Sequence, residues 1–202
     1  MLYHGSLLEI DELDPTSDKL DRELVFLTKN RIVALLHICP FDSYFFDLSI
    51  VDEEFCQICE RCPWAFEVIY KNKSGFLYTI EGDNFEPTNK NLEFVSRGKI
   101  SPKAKEHIAD LYAELLRYQS SGNIEILRFH DISKEERSLL DERFVEFVIT
   151  DINANNSIMQ FKKLADMFPK IAERIFHKLD IDKQDQIRNH LITASCVKEL
   201  RL

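Results

Sequence analysis

The sequence predicts an α+β protein, and three observations carry that reading. Short β-rich runs bounded by turn residues recur through the first half, helical spacing of apolar residues takes over in the second, and the charge balance changes sign along the chain. Residues 1–150 hold 17 basic against 28 acidic side chains, whereas residues 151–202 hold 9 against 7. An acidic body repels phosphate backbones, which argues against a large nucleic-acid surface. The change of sign near residue 150 marks a structural boundary or ordinary solvated faces. With 202 residues, 45% of them apolar, the chain can bury one substantial core and still carry a helical appendage.

Residues 1–4 are apolar enough for a buried strand, and Asp14-Pro15-Thr16-Ser17-Asp18 signals a loop. Leu24–Thr28 reads as a second strand. Thr28 is placed to cap a helix over Lys29–Cys39 that Pro40 ends. Residues 43–62 give no clear period. Trp64–Tyr70 and Gly75–Ile80 read as β runs joined through Lys71–Ser74, and Asn91–Ser96 as a further strand. Ser101-Pro102 opens an expected helix to about Tyr118, with Ala104, Ile108, Leu111 and Leu115 on one face. Ile124–Phe129 alternates as a strand, and Ser133 with Glu136 forms a capping box for the next helix. Phe161, Leu164, Phe168, Ile171, Ile175 and Leu179 keep helical spacing, with Pro169 starting a new segment or kinking the old one. The expected division is a core over 1–130 and a helical extension over 131–202. The apolar stripe of that extension packs on the body, or docks a partner or a second copy.

No run approaches the roughly 20 apolar residues that span a bilayer, and the first residues lack the basic and hydrophobic regions of a signal peptide. Five cysteines, clustered rather than spread as a disulfide framework, suit a reducing compartment. The expectation is a cytoplasmic protein with no membrane association.

Three segments place residues capable of chemistry on strand-like runs: Leu2-Tyr3-His4-Gly5-Ser6, Leu24-Val25-Phe26-Leu27-Thr28 and Leu92-Glu93-Phe94-Val95-Ser96. His4 alone reads as a hydrogen-bonded residue at a strand end, and Glu93 alone as a solvent-facing residue on an edge strand. A carboxylate interrupting an apolar run nevertheless needs a partner or a function. In order and residue type, the segments resemble the ADP-ribosyltransferase family, in its diphtheria-toxin and poly-ADP-ribose polymerase branch. The resemblance covers about two-thirds of the chain and implies two packed β-sheets split around a cleft that takes NAD as substrate.

It further implies that His4 bonds a ribose hydroxyl, that Gly5 clamps the nicotinamide amide through its backbone, and that Ser6 adds an outer hydroxyl contact. Phe26 and the residue eleven positions on, His37, would wall the nicotinamide, with Thr28 on the same strand also facing the cofactor. Glu93 would hold the ribose 2′-hydroxyl and stabilise the positive centre left by bond cleavage. His37 stands where the family carries tyrosine, and only a neutral imidazole would tolerate a cationic nicotinamide. Position 91 is Asn, so the Gln/Glu-x-Glu signature of arginine-specific members is absent.

The activity implied by the resemblance is that of a mono-ADP-ribosyltransferase, with a compact toxin or effector as the type of protein. Its acceptor would be a protein, a nucleic acid or a small molecule, and a neutralising partner protein would accompany it. Two rivals remain open: an inactive member of the fold that binds NAD without turnover, and a metal-binding interaction protein. The latter would be built on Cys56, Cys59 and Cys62, whose spacing also fits one buried helix face. A tRNA 2′-phosphotransferase would want several pocket arginines, which the strand segments do not supply.

Overall fold

In the computed structural model, residues 1–17, 23–39, 41 and 44–193 are described, with side chains to His190. The chain divides into two units, Met1–Asp131 and Ile132–Leu202, next to the division expected at 130/131.

The first unit runs β1 (Leu2–Ser6), β2 (Thr16–Ser17), β3 (Glu23–Thr28), α1 (Arg31–Leu36), β4 (Phe46–Ile50), β5 (Cys56–Glu60), α2 (Ala65–Tyr70), β6 (Gly75–Ile80), β7 (Glu86–Pro87), β8 (Glu93–Ser96), β9 (Ala104–Ile108), α3 (Leu111–Ser120) and β10 (Ile124–Leu127). Its larger sheet has the order β7-β8-β3-β1-β6-β9, with β2 paired to β3. All of these pairings are antiparallel. The smaller sheet is β10-β5-β4, in which β10 runs parallel to β5 and β4 antiparallel. On the larger sheet Leu2, Leu13, Val25, Leu27, Tyr78, Ile80 and Ile100 close one core cluster. Full burial of side chains of this size contributes about 1.5–3 kcal/mol each.

Two glycines let α1 lie directly on the larger sheet. A Cβ on Gly5 would stand 2.0 Å from the Ala34 carbonyl oxygen, and one on Gly75 would stand 2.4 Å from Ile38 Cγ2. Neither position has room for a side chain: at Gly5 the helix backbone touches the strand, and at Gly75 the side chain of Ile38, just past the helix, and the Ser6 carbonyl fill the space. The helix is six residues long, too short to persist on local propensity alone. Its cap and this contact hold it.

The cap is Asn30, not Thr28. Asn30 Oδ1 accepts from the Ile32 and Val33 amides at 2.9 and 3.0 Å, while its Nδ2 donates to the Asp52 carbonyl at 2.9 Å. Thr28 Oγ1 instead accepts from the Asn30 amide. The helix is correspondingly shorter than 29–39, and Pro40, expected to end it, lies outside the described residues.

Other expectations change where tertiary pairing overrides local pattern. Trp64–Tyr70 holds α2 rather than a strand, with Trp64 as its N-cap in the left-handed region at φ 65°. The run from Ser101 to Tyr118 is not one helix. Ala104–Ile108 pairs with β6 as an edge strand, and α3 begins only after Asp110, whose side chain accepts from the Ala113 amide. The cysteine run forms strand β5, so Cys56 and Cys59 face opposite sides and do not share a helix face. Glu60, at its end, is 1% exposed and accepts from the Phe66 and Phe129 amides at 2.7 and 2.8 Å. That carboxylate joins the start of α2 to the chain leaving β10.

The second unit is helical, with α4 (Lys134–Asn155), α5 (Ile158–Met167), α6 (Pro169–Phe176) and α7 (Ile181–Thr193). The Ser133/Glu136 capping box is present, and Pro169 occupies the first turn of α6. Phe161, Leu164, Ile175 and Phe176 are buried where helices α4, α5 and α6 meet. No helix among the described residues is long and apolar enough to cross a membrane.

Gly5→Ala is expected to lower stability by about 1–3 kcal/mol, because a rigid helix carbonyl must move to admit the methyl. Gly98→Ala, which meets nothing within 4 Å, should stay within about 0.5 kcal/mol of wild type. Urea unfolding of the two variants checks the contrast.

Candidate functional site

Strands β1 and β3 pair only at Tyr3↔Thr28, although each pairs at four or more positions with its other neighbour. Where that ladder stops, the His4 side chain takes over: Nδ1 lies 2.8 Å from the Phe26 carbonyl oxygen. A carbonyl only accepts, so Nδ1 carries the proton and Nε2 of the neutral ring is an acceptor. Burial lowers the His4 pKa, with the Phe26 bond opposing it, which favours that neutral form.

The opening beside this junction is a cleft of about 830 Å³. Its walls come from β1, β3, α1, β4 and the turn before β8, and so from both sheets. Of the residues singled out in the sequence, His4, Gly5, Phe26, Thr28, His37 and Glu93 all line it. Ser6 does not. Its Oγ accepts from the Leu8 amide at 3.1 Å, so its hydroxyl serves the loop after β1. Gly5 does line the cleft, but the helix backbone behind it is what forbids a side chain there.

Glu93 opens β8 opposite Thr28. Leu92, just before it, sits in the left-handed region at φ 58°, uncommon for a bulky residue and costing about 1–2 kcal/mol. The turn is held by Thr88 N to Glu93 O at 2.9 Å and by Lys29 N to Leu92 O at 3.0 Å. Both Glu93 oxygens have partners: Thr88 Oγ1 donates to Oε1 at 2.9 Å and Lys90 Nζ to Oε2 at 3.2 Å. Its side chain is 18% exposed, so the carboxylate is held in place without being sealed from the cleft.

Opposite stands an aromatic row. His37 stacks on Phe41 with ring centroids 5.3 Å apart, Phe41 on Phe46 at 5.7 Å, and Phe46 on Tyr70 at 5.8 Å. Crowding by the cleft walls pushes the His37 pKa down to about 4, against a smaller upward pull from Glu93. The ring itself still opens to solvent. His37, Phe41 and Phe46 of this row line the cleft together with the polar side chains of His4, Thr28 and Glu93, the mixture of aromatic and polar groups common in small-molecule pockets.

Several cleft residues carry no motif in the sequence. Phe46, Asp47, Ser49 and Ile50 come from β4, in a stretch without clear period. Asn91 Nδ2 donates to the Ile50 carbonyl at 3.0 Å, Asn30 reaches Asp52, and Lys29 pairs with Glu53 at 3.2 Å. These three contacts join the turn before β8 and the start of α1 to the β4–β5 hairpin. The signal for Asn30 was available: an Asn directly before an apolar helical run is a standard cap.

Cys56 and Cys59 stand on opposite faces of β5. Cys56 and Cys62 are buried, Cys59 is partly exposed on the other face of β5, and burial pushes the Cys56 thiol up to about 12. Among the described residues no group of three His, Cys, Asp or Glu side chains is placed to hold a metal ion.

Comparison with protein-family models, with curated proteins and with solved structures finds no match for this chain.

Both cleft histidines are expected to titrate below the ordinary imidazole value. Because their pKa values are depressed on folding, the stability tied to the neutral rings is fully present above the ordinary value of 6.5, and for His37 it is lost as pH falls through about 4. Histidine ring chemical shifts followed by NMR from pH 8 to 4 check this. A midpoint near 6.5 for His37 would contradict it.

Proposed function

We propose that this protein is an NAD-dependent ADP-ribosyltransferase that releases nicotinamide and passes ADP-ribose to a macromolecular acceptor. The observation that carries the reading is convergence. His4 and Gly5, then Phe26, Thr28 and His37, then Glu93, chosen from three distant segments, line one cleft between two sheets.

In this reading the nicotinamide lies along the His37 face, against the Gly5 backbone and Phe26. The attached ribose sits between His4 and Glu93. The acceptor Nε2 of neutral His4 takes a hydrogen bond from a ribose hydroxyl, and Glu93 takes one from the 2′-hydroxyl. When the bond between ribose carbon and ring nitrogen breaks, its electron pair leaves with nicotinamide, which becomes neutral, and the ribose is left electron-poor. A fixed carboxylate beside that carbon stabilises the developing charge more than it stabilises bound NAD, and so lowers the barrier. The acceptor's nucleophilic atom then forms the new bond to the same carbon and releases its proton to Glu93 or to water. Neutral His37 adds no positive charge opposite the cationic ring.

A second reading is favoured by the same residues. With histidine in place of the family's tyrosine, and with both Glu93 oxygens partnered, the cleft could hold NAD without cleaving it. One comparison separates the readings. Nicotinamide release from labelled NAD is expected from the wild type and should fall about 10²–10³-fold in Glu93→Gln, while NAD affinity changes little. Binding without release by the wild type would select the second reading. No binding by a folded wild type would overturn both.

A further inference from the structure

We propose that Lys90 is a two-position residue: it pairs with Glu93 in the empty cleft, and moves to the diphosphate of a bound dinucleotide, which frees the carboxylate for the ribose. This rests on the NAD reading of the cleft.

Charge is the first argument. Among the described residues lining the cleft, the carboxylates are Glu93 and Asp47, and Lys90 is the one lysine or arginine. A dinucleotide brings two phosphate charges into this acidic setting, and anions bound beside carboxylates need a cation. Lys29, Arg31 and Arg61 do not line the cleft, and they pair with Glu53, with Tyr118 and Glu106, and with Asp47. The first-turn amides of Ile32 and Val33 are already taken by Asn30.

Geometry is the second. The backbone beneath Lys90 is pinned, since its amide donates to Thr88 Oγ1 at 3.1 Å and its carbonyl accepts from the Glu93 amide at 3.4 Å. The side chain is free to pivot: it is 69% exposed and ends in an ammonium on a flexible four-carbon stem. Lys90 is the exposed partner of the pair and Glu93 the largely buried one, so it is the ammonium that can exchange one anion for another. Thr88 Oγ1 stays on Oε1 throughout, which keeps Glu93 in place when Lys90 leaves.

The consequence is selectivity for ligands that contain the diphosphate. Equilibrium binding of NAD, ADP-ribose and nicotinamide riboside is measured for wild type, Lys90→Gln and Lys90→Arg, with thermal unfolding as the check on folding. Lys90→Gln should bind NAD and ADP-ribose about tenfold more weakly. It should bind nicotinamide riboside, which has no diphosphate, at least as well as wild type. Lys90→Arg should restore most of the loss. Equal NAD affinity in wild type and Lys90→Gln would overturn this inference and leave the NAD reading standing. An equal loss for all three ligands would overturn it too, since Lys90 would then be shaping the cleft alone. Failure of the wild type to bind either NAD or ADP-ribose would remove the inference together with the reading beneath it.

Discussion

The contact of helix backbone on strand backbone at Gly5 is the constraint on which the rest of the site depends. With the Ala34 carbonyl against β1, α1 can lie nowhere else, and its C-terminal end delivers His37 to the cleft. The same helix begins at Asn30, whose side chain reaches across to the β4–β5 hairpin. One short element thus packs on the larger sheet and, through Asn30, bonds the turn that follows β4 of the smaller one, and residues of both sheets line the cleft. Its own hydrogen bonds are too few to account for its order, which comes from the cap and from burial of Ile32, Val33, Leu35 and Leu36.

The second organising feature is the short pairing of β1 with β3. A sheet whose central ladder stops after one pair leaves a backbone carbonyl in need of a donor, and His4 supplies it. That structural duty also sets the chemistry of the ring. It places the proton on Nδ1 and leaves Nε2 as the acceptor of the neutral ring, the form that burial favours against the opposing pull of the Phe26 carbonyl. Glu93 is treated in a parallel way: a turn strained at Leu92 presents it, and Thr88 holds one oxygen.

The strands β1, β3, β6 and β8 were legible from the sequence because each is a short apolar run with turn residues at its ends. The capping box at Ser133 and the Pro169 start were legible because caps are local. Misreadings fell where local pattern and pairing disagree. Ser101-Pro102 followed by apolar residues at helical spacing looks like a helix, yet Lys105, Glu106 and His107 complete an exposed edge strand on β6. The cysteine spacing also fits a helix, and only pairing with β4 and β10 makes it a strand. The site followed the same rule. Of the residues that line the cleft, His4, Gly5, Phe26, Thr28 and Glu93 stand on strands recognisable in the sequence, whereas the place of Phe46, Ile50, Lys90 and Asn91 is set by contacts across the cleft that no short window contains.

The most direct test of the account is the crystal structure of the protein with a non-cleavable NAD analogue bound. The account predicts the nicotinamide along His37 and the Gly5 backbone, with the adjoining ribose between His4 Nε2 and the Glu93 carboxylate. A dinucleotide bound outside the cleft, or seated in it with the ribose turned away from Glu93, would contradict it.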